Sequence, residues 1–214
     1  MSAADFLLSP EVQKLLRIVY AEPSREFLVG ELAKMSKLDL ATAEGTLLHL
    51  VTSGMLTKCK PEGDAAESFS ANLSFVFYDE MRSIALKSFA AAEPIRAALR
   101  SKFNNSVLRA FVLGEGGPEG AVELLIVHGH VAPDEVTLKA ALQKLVKAIS
   151  RQLQVHVMSH GEFDKLGPRD ELARKLAAKS AFEIISLGDT KAKLPIKRVS
   201  LLQKAKRHLA ALAA

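Results

Sequence analysis

The sequence of 214 residues contains no tryptophan, two tyrosines and a single cysteine. One cysteine excludes an internal disulfide, and the apolar alternation around Cys59 favours a small strand side chain over a reactive thiol. No stretch approaches the roughly 18 apolar residues that a membrane helix needs. The first nine residues also lack a basic region followed by an apolar run. We therefore expect a cytoplasmic protein with no membrane partner.

Basic charge is scarce in the first half of the chain and concentrated at its end. The whole sequence carries 29 Lys and Arg against 24 Asp and Glu. Residues 1–90 hold nine basic and twelve acidic side chains, whereas residues 169–214 hold eleven basic and four acidic ones. Because clustered cations release counterions from a polyanion, electrostatic contact with phosphates would fall mainly on that last segment. A solvated basic tail is the alternative interpretation.

The first 73 residues predict three helices followed by two short strands. Ser9 and Pro10 provide an N-cap and a first helical position. Apolar periodicity then predicts helices at 10–20, 29–35 and 40–53 and strands at 55–60 and 67–71. Residues 36–39 form a turn, and Pro61 to Asp64 have the chemistry of a hairpin turn. This order is typical of a winged helix-turn-helix, with a small helical domain as the alternative.

The rest of the chain predicts a helix and then a mixed α/β region. A helix from about Ser74 to Ala91, with Phe77 and Met81 on one face, is either a connector or a dimer contact. After Pro94 the period alternates between helical and extended, with helices at 95–103, 133–149 and 169–178 and strands at 107–113, 121–127, 153–158 and 182–187. We therefore predict an α+β fold with domains at 1–73 and 93–190, a connecting helix at 74–92 and a basic C-terminal helix at 191–214.

Two consecutive predicted strands carry a pattern related to nucleotide chemistry. Phe111–Gly114 and Glu123–Val127 resemble the nucleotidyltransferase signature of the polymerase-β superfamily in its minimal form, where a strand ends in Gly-Ser and the next carries Asp-x-Asp. Residues two apart on a strand point to one side, so two carboxylates can share divalent metal ions that bind phosphates. The glycine lets the backbone approach those phosphates.

The chain departs from that signature at each chemical position. Glu115 stands in place of the serine, Ala121 replaces the first aspartate, and only Glu123 keeps a carboxylate. Glu115 also brings negative charge to the place of the phosphates, and the loop between the strands is short. The third family carboxylate falls on Gln154 or His156. We therefore predict no catalysis, no cofactor and no metal, with a degenerate nucleotide site made of Gly114, Glu115, Ala121, Glu123 and His156.

Histidines leave one alternative open at this site. Glu123 with His156 could hold a single metal ion, and His128 with His130 could face another, since they are two residues apart. Neither pair has further ligands at a clear spacing. Polar residues at strand ends remain the simpler interpretation.

The resemblance extends beyond the degenerate site, because the chain is similar to transcriptional regulators that fuse a winged helix to this domain. The matching segments span most of residues 9–190 and are Ala71-Asn72, Ile84–Phe89, Pro94–Leu99, Ala110–Gly114, Ser159–Phe163 and Ile184–Gly188. The resemblance implies a DNA-binding regulator. Homodimerisation is expected because paired recognition helices improve half-site recognition. The second domain would then serve sensing or assembly.

Candidate DNA contacts follow from the way winged helices bind. The third helix enters the major groove and the wing contacts phosphates, which selects Lys37, Thr42, Glu44, Thr46, His49, Lys58 and Lys60. None of the candidates on the third helix is Lys or Arg. Phosphates would repel Glu44, although a carboxylate can accept a hydrogen bond from the amino group of a cytosine. Two alternatives therefore stay open: a protein-interaction scaffold that uses the third helix, and a residual nucleotidyltransferase or nucleotide sensor.

Overall fold

A computed structural model describes residues 2–59, 66–116 and 120–195. Within these ranges the chain has an α+β fold with two sheets, and the predicted class is confirmed. Lys60 and residues 196–214, which include most of the predicted C-terminal helix, lie outside the described residues. Of the helices in the described ranges, none combines the length and the apolar character needed to cross a membrane.

Three helices and a three-stranded sheet form the first unit, which comprises residues 2–59 and 66–90. Its elements are α1 (Pro10–Val19), β1 (Phe27–Leu28), α2 (Val29–Ser36), α3 (Leu40–Thr52), β2 (Leu56–Cys59) and β3 (Ser68–Ala71). The strand order is β1-β3-β2 and both pairings are antiparallel. Leu15, Leu16, Leu47 and Leu50 are fully buried between the helices, as the periodicity predicts.

Local hydrogen bonds set the ends of these helices. Ser9 and Asp39 each accept a backbone N–H at the start of a helix, from Val12 and Thr42 respectively. Lys37 adopts a left-handed conformation, with φ of 56°, and ends α2. The chain therefore needs only three residues to turn from α2 into α3.

The predicted helix from Ser74 to Ala91 is shorter in the structure. It forms α4 (Tyr78–Lys87), and a new helix, α5, starts at Ala92 and ends at Lys102. Ser88 has a non-helical backbone, and the segment from Phe89 is buried where the two units meet. Since Met81 packs into the core of the first unit and Leu86 into that of the second, α4 is a connector. Phe77 precedes it and is 58% exposed.

A four-stranded sheet organises the second unit, which comprises residues 91–116 and 120–195. Its further elements are β4 (Val107–Gly116), β5 (Ala121–His128), α6 (Glu135–Ile149), β6 (Leu153–Ser159), α7 (His160–Phe163), α8 (Glu171–Leu176) and β7 (Phe182–Ile185). The order is β6-β5-β4-β7, with β5 and β6 parallel and the other pairs antiparallel. Helices α5 and α6 cover one face, and α7 and α8 pack on the other.

Candidate functional site

The register of β4 and β5 separates the residues of the predicted nucleotide site into two groups. Gly114 lies opposite Glu123 and Gly116 opposite Ala121. Because paired residues of an antiparallel ladder point to the same face, Gly114, Ala121 and Glu123 share the face covered by α7 and α8. Glu115 lies opposite Val122, which is buried on the α5 and α6 face. Glu115 and Glu123 therefore point to opposite sides of the sheet.

Glu123 is the centre of a buried ionic cluster. It is 7% exposed, and its Oε1 atom accepts from Lys175 Nζ at 2.7 Å and lies 2.8 Å from His156 Nε2. Helix α8 positions Lys175, whose Nζ also lies 2.8 Å from Glu171. Burial by itself raises the pKa of Glu123, but the hydrogen bonds and charges of Lys175 and His156 together lower this pKa below its ordinary value. The carboxylate is thus held ionised by an ammonium group.

The residues around Glu123 do not fit the divalent metal that the resemblance implies. Ala121 offers no ligand, and the Lys175 ammonium already lies against Glu123. Elsewhere in the described ranges, no three His, Cys, Asp or Glu side chains gather closely enough to hold a metal ion. A cation next to an ammonium would also be repelled. The geometry therefore supports a structural ion pair at this place.

Ser180 packs closely against Gly114, at the edge of a cleft of about 260 Å³. Gly114 has φ of 131°, which favours glycine, and a Cβ atom placed there would lie 3.0 Å from Ser180 Oγ. The Ser180 hydroxyl donates to the Leu113 carbonyl at 3.1 Å. The serine side chain therefore narrows the space next to this glycine.

Glu115 joins the two units of the molecule. Its carboxylate lies 2.7 Å from Arg82 Nη2 and forms an ion pair with Arg151. Arg151 Nη2 in turn donates to the carbonyl of Tyr20 at 2.7 Å, at the end of α1. Arg82, Arg151 and Lys175 were not among the site residues predicted from the sequence. The one available signal was an arginine between the apolar Ile149 and Leu153, where a charge needs a buried partner.

The exposed face of α3 is less polar than the predicted contacts suggested. Its outermost ridge consists of Ala41, Gly45, Leu48 and Thr52, with Glu44 and His49 exposed on either side. The Thr42 hydroxyl donates to Asp39 at 2.7 Å, and the Thr46 hydroxyl donates to the Thr42 carbonyl at 2.7 Å. These two hydroxyls therefore serve the helix itself.

The two predicted lysine contacts within the described residues differ in their surroundings. Lys37 is exposed in the turn between α2 and α3. Lys58 on β2 forms an ion pair with Glu67, with Nζ and Oε2 2.7 Å apart. Since Glu67 compensates its charge, Lys58 is a weaker ligand for phosphate than its position suggests.

An apolar groove runs between α2, α3 and the small sheet. Its volume is about 530 Å³, and its apolar lining includes Leu28, Leu48, Val51 and Phe69. Leu48 is 67% exposed. Glu31, Glu44 and Glu67 also line the groove, against a single lysine, Lys58. Since Glu31 and Glu67 are paired with Arg25 and Lys58, the described surface beside α3 is mainly apolar, with Glu44 as its unpaired carboxylate.

Comparison of the sequence with models of known protein families, with curated proteins and with solved structures gives no match.

Proposed function

We propose that this protein is a homodimeric DNA-binding transcriptional regulator whose second domain is nucleotidyltransferase-like and inactive, and serves sensing or assembly. The observation that carries the proposal is the arrangement of the first unit. Helices α2 and α3 are joined by a three-residue turn, and α3 is followed by an antiparallel strand pair. This is the order of a winged helix-turn-helix, in which α3 would be the recognition helix.

The proposed loss of catalysis is supported by the cluster at Glu123. Nucleotidyl transfer needs carboxylates that hold divalent metal ions against the phosphates. An ammonium group lies against the one remaining carboxylate, and Ala121 supplies no second one. We expect no transfer from labelled ATP or GTP in the presence of Mg²⁺ or Mn²⁺. Label transfer that Glu123→Ala abolishes would contradict the proposal.

Charge predicts that DNA binding by one protomer is weak. Residues 1–90 have three more acidic than basic side chains, and Glu44 lies on the exposed side of α3. Dimerisation would add a second recognition helix, and the basic residues beyond 190 would add contacts to phosphates. We therefore expect steep dependence of binding on salt concentration.

The test is a gel shift of labelled genomic fragments with the full chain at about 50 and 200 mM salt. Thr46→Glu and His49→Glu add negative charge to α3 and should abolish the shift. Gln143→Glu adds the same charge on an exposed position of α6 and should leave the shift unchanged. A third variant, Lys204→Gln with Lys206→Gln and Arg207→Gln, tests the basic C-terminal segment.

The set of variants that lose the gel shift shows which part of the chain contacts DNA. Loss in the α3 variants supports recognition by α3. Loss in the C-terminal variant alone would contradict it and assign binding to that segment. Absence of any shift by the unaltered chain at the lower salt concentration would contradict DNA binding altogether.

A second candidate function is a protein-interaction scaffold, which the groove beside α3 favours. Its apolar lining, with Glu44 at the edge, fits an amphipathic partner that carries a basic side chain. Leu48→Lys separates the two candidates. It should maintain or strengthen the gel shift if α3 faces DNA, because it adds a cation. It should abolish fluorescence-detected binding of a synthetic Leu/Lys helical peptide if the groove binds protein.

A further inference from the structure

A large cleft lies where the two units meet. Its volume is about 950 Å³, within the range of small-molecule sites. The segment after α1 lines one side, with Ser24 and Arg25, and the connection between α6 and β6 lines the other, with Arg151 and Gln152. Arg82 from α4 completes the lining. Both units thus contribute side chains to one cleft.

Among the described residues, the three arginines of this cleft have three carboxylate partners, but the charge is unevenly distributed. Arg25 is compensated at the rim, because it forms ion pairs with Glu22 and Glu31. Arg82 and Arg151 share the single carboxylate of Glu115. Two guanidinium groups and one carboxylate leave a net positive charge next to the cleft, where partial burial strengthens its field.

Arg151 is a desolvated cation beside this opening. Its side chain is 2% exposed, and its buried Nε atom has no hydrogen-bond acceptor in the described part of the chain. Burial, with a smaller contribution from the charge of Arg82, lowers the pKa of Arg151 to about 10. Because burial and the charge of Arg82 both disfavour the Arg151 cation, an anion bound next to Arg151 would stabilise it. The Tyr20 carbonyl oxygen, which would repel an anion, already accepts a hydrogen bond from Arg151.

We propose that the cleft binds a small phosphate-bearing molecule, with Arg82 contacting the phosphate and Arg151 providing positive charge beneath it. The guanidinium fork matches phosphate oxygens in a bidentate geometry. Ser24, Ser150 and Gln152 provide hydroxyl and amide groups for the rest of the ligand. Since the cleft is larger than inorganic phosphate requires, a ligand of mononucleotide size fits best.

This site differs from the degenerate nucleotide site described above. Glu115 points away from Glu123, to the side of the sheet where Arg151 lies. The proposal therefore does not depend on metal binding or on nucleotidyl transfer. It is also independent of DNA binding, although a ligand held by both units could alter their relative placement and so regulate α3.

Calorimetric titration of the full chain tests the proposal with four probes: inorganic phosphate, pyrophosphate, AMP and ATP. At least one probe should bind, and Arg82→Gln should weaken it about tenfold or more, as expected for loss of a charge-assisted contact. Arg100→Gln removes an exposed arginine from α5, away from the cleft, and should leave the affinity unchanged.

The relative affinities of the four probes show whether the cleft recognises phosphate groups alone or a nucleoside phosphate. Binding of pyrophosphate as tight as that of ATP would identify the phosphates alone as the ligand chemistry, whereas a preference for AMP or ATP would include the nucleoside. Circular dichroism verifies that each variant is folded. Absence of binding by all four probes, or equal affinity of the unaltered chain and folded Arg82→Gln, would overturn the proposal.

Discussion

Glu123 illustrates how the neighbours of a carboxylate decide its role. The carboxylate lies where the resemblance expects a metal ligand, yet its neighbours are an ammonium and an imidazole. A buried carboxylate costs free energy unless it is paired, and Lys175 provides the pair. The same side chain that would serve catalysis therefore contributes to the stability of the second unit.

The lowered pKa of Glu123 predicts a dependence of stability on pH. Its pKa in the folded state lies below the ordinary value of 4.5, so its contribution is fully present above that value and is lost as pH falls through the folded pKa. Glu123→Gln should cost about 1–3 kcal/mol of unfolding free energy at neutral pH. The cost should shrink below roughly pH 4.

Urea denaturation at several pH values measures this effect. Glu171→Gln is the matched control, because Glu171 also contacts Lys175 but is exposed. We expect Glu171→Gln to lower the unfolding free energy by less than Glu123→Gln does. A cost of Glu123→Gln that does not change between neutral and acidic pH would contradict the assigned ion pair.

The turn between α2 and α3 decides how the candidate recognition helix is presented. Lys37 ends α2 with φ of 56°, a conformation that costs free energy for any residue with a Cβ atom. Asp39 then starts α3 by accepting from the Thr42 N–H at 2.9 Å. A strained residue followed by a strong N-cap keeps this turn short.

Glycine at position 37 should relieve that strain. Lys37→Gly is expected to raise the unfolding free energy by up to about 1 kcal/mol, because glycine adopts the left-handed conformation readily. Lys34→Gly, within α2, should lower it by roughly 0.8–1 kcal/mol. Thermal denaturation of both variants checks this pair of predictions. Equal destabilisation by the two substitutions would contradict it.

The molecule as a whole is joined by the polar contacts of Arg151 as well as by apolar packing along α4. Arg151 belongs to the second unit and donates to Tyr20 in the first, while Glu115 and Arg82 surround its guanidinium. Removal of Arg151 would leave Glu115 paired with Arg82 alone and the Tyr20 carbonyl without its hydrogen-bond donor. We therefore expect the two units to unfold together only while Arg151 is present.

Arg151→Met should lower the unfolding free energy by about 1–3 kcal/mol and separate the melting of the two units. Differential scanning calorimetry would then show two transitions in place of one. Arg100→Met, at an exposed position on α5, should keep a single transition at the original temperature. Cooperative melting of Arg151→Met at that same temperature would refute the coupling role.

Much of the fold was accessible from local patterns. Periodicity and capping residues predicted α1, α2, α3 and the strands around them, because these signals act over a few neighbouring residues. The helix predicted at 74–91 was too long, since burial between two cores ends α4 at Lys87. The four-residue helix α7 was not predicted, because one helical turn has too little periodicity to detect.

The sequence by itself determined the α+β class, the order of the elements and the absence of a carboxylate at Ala121. These depend on residue identity and on local spacing. Tertiary structure alone decided that Lys175 contacts Glu123 and that Glu115 faces Arg82 and Arg151. Such pairs join residues far apart in the chain, and their partners depend on sheet register and helix placement, which no local pattern specifies.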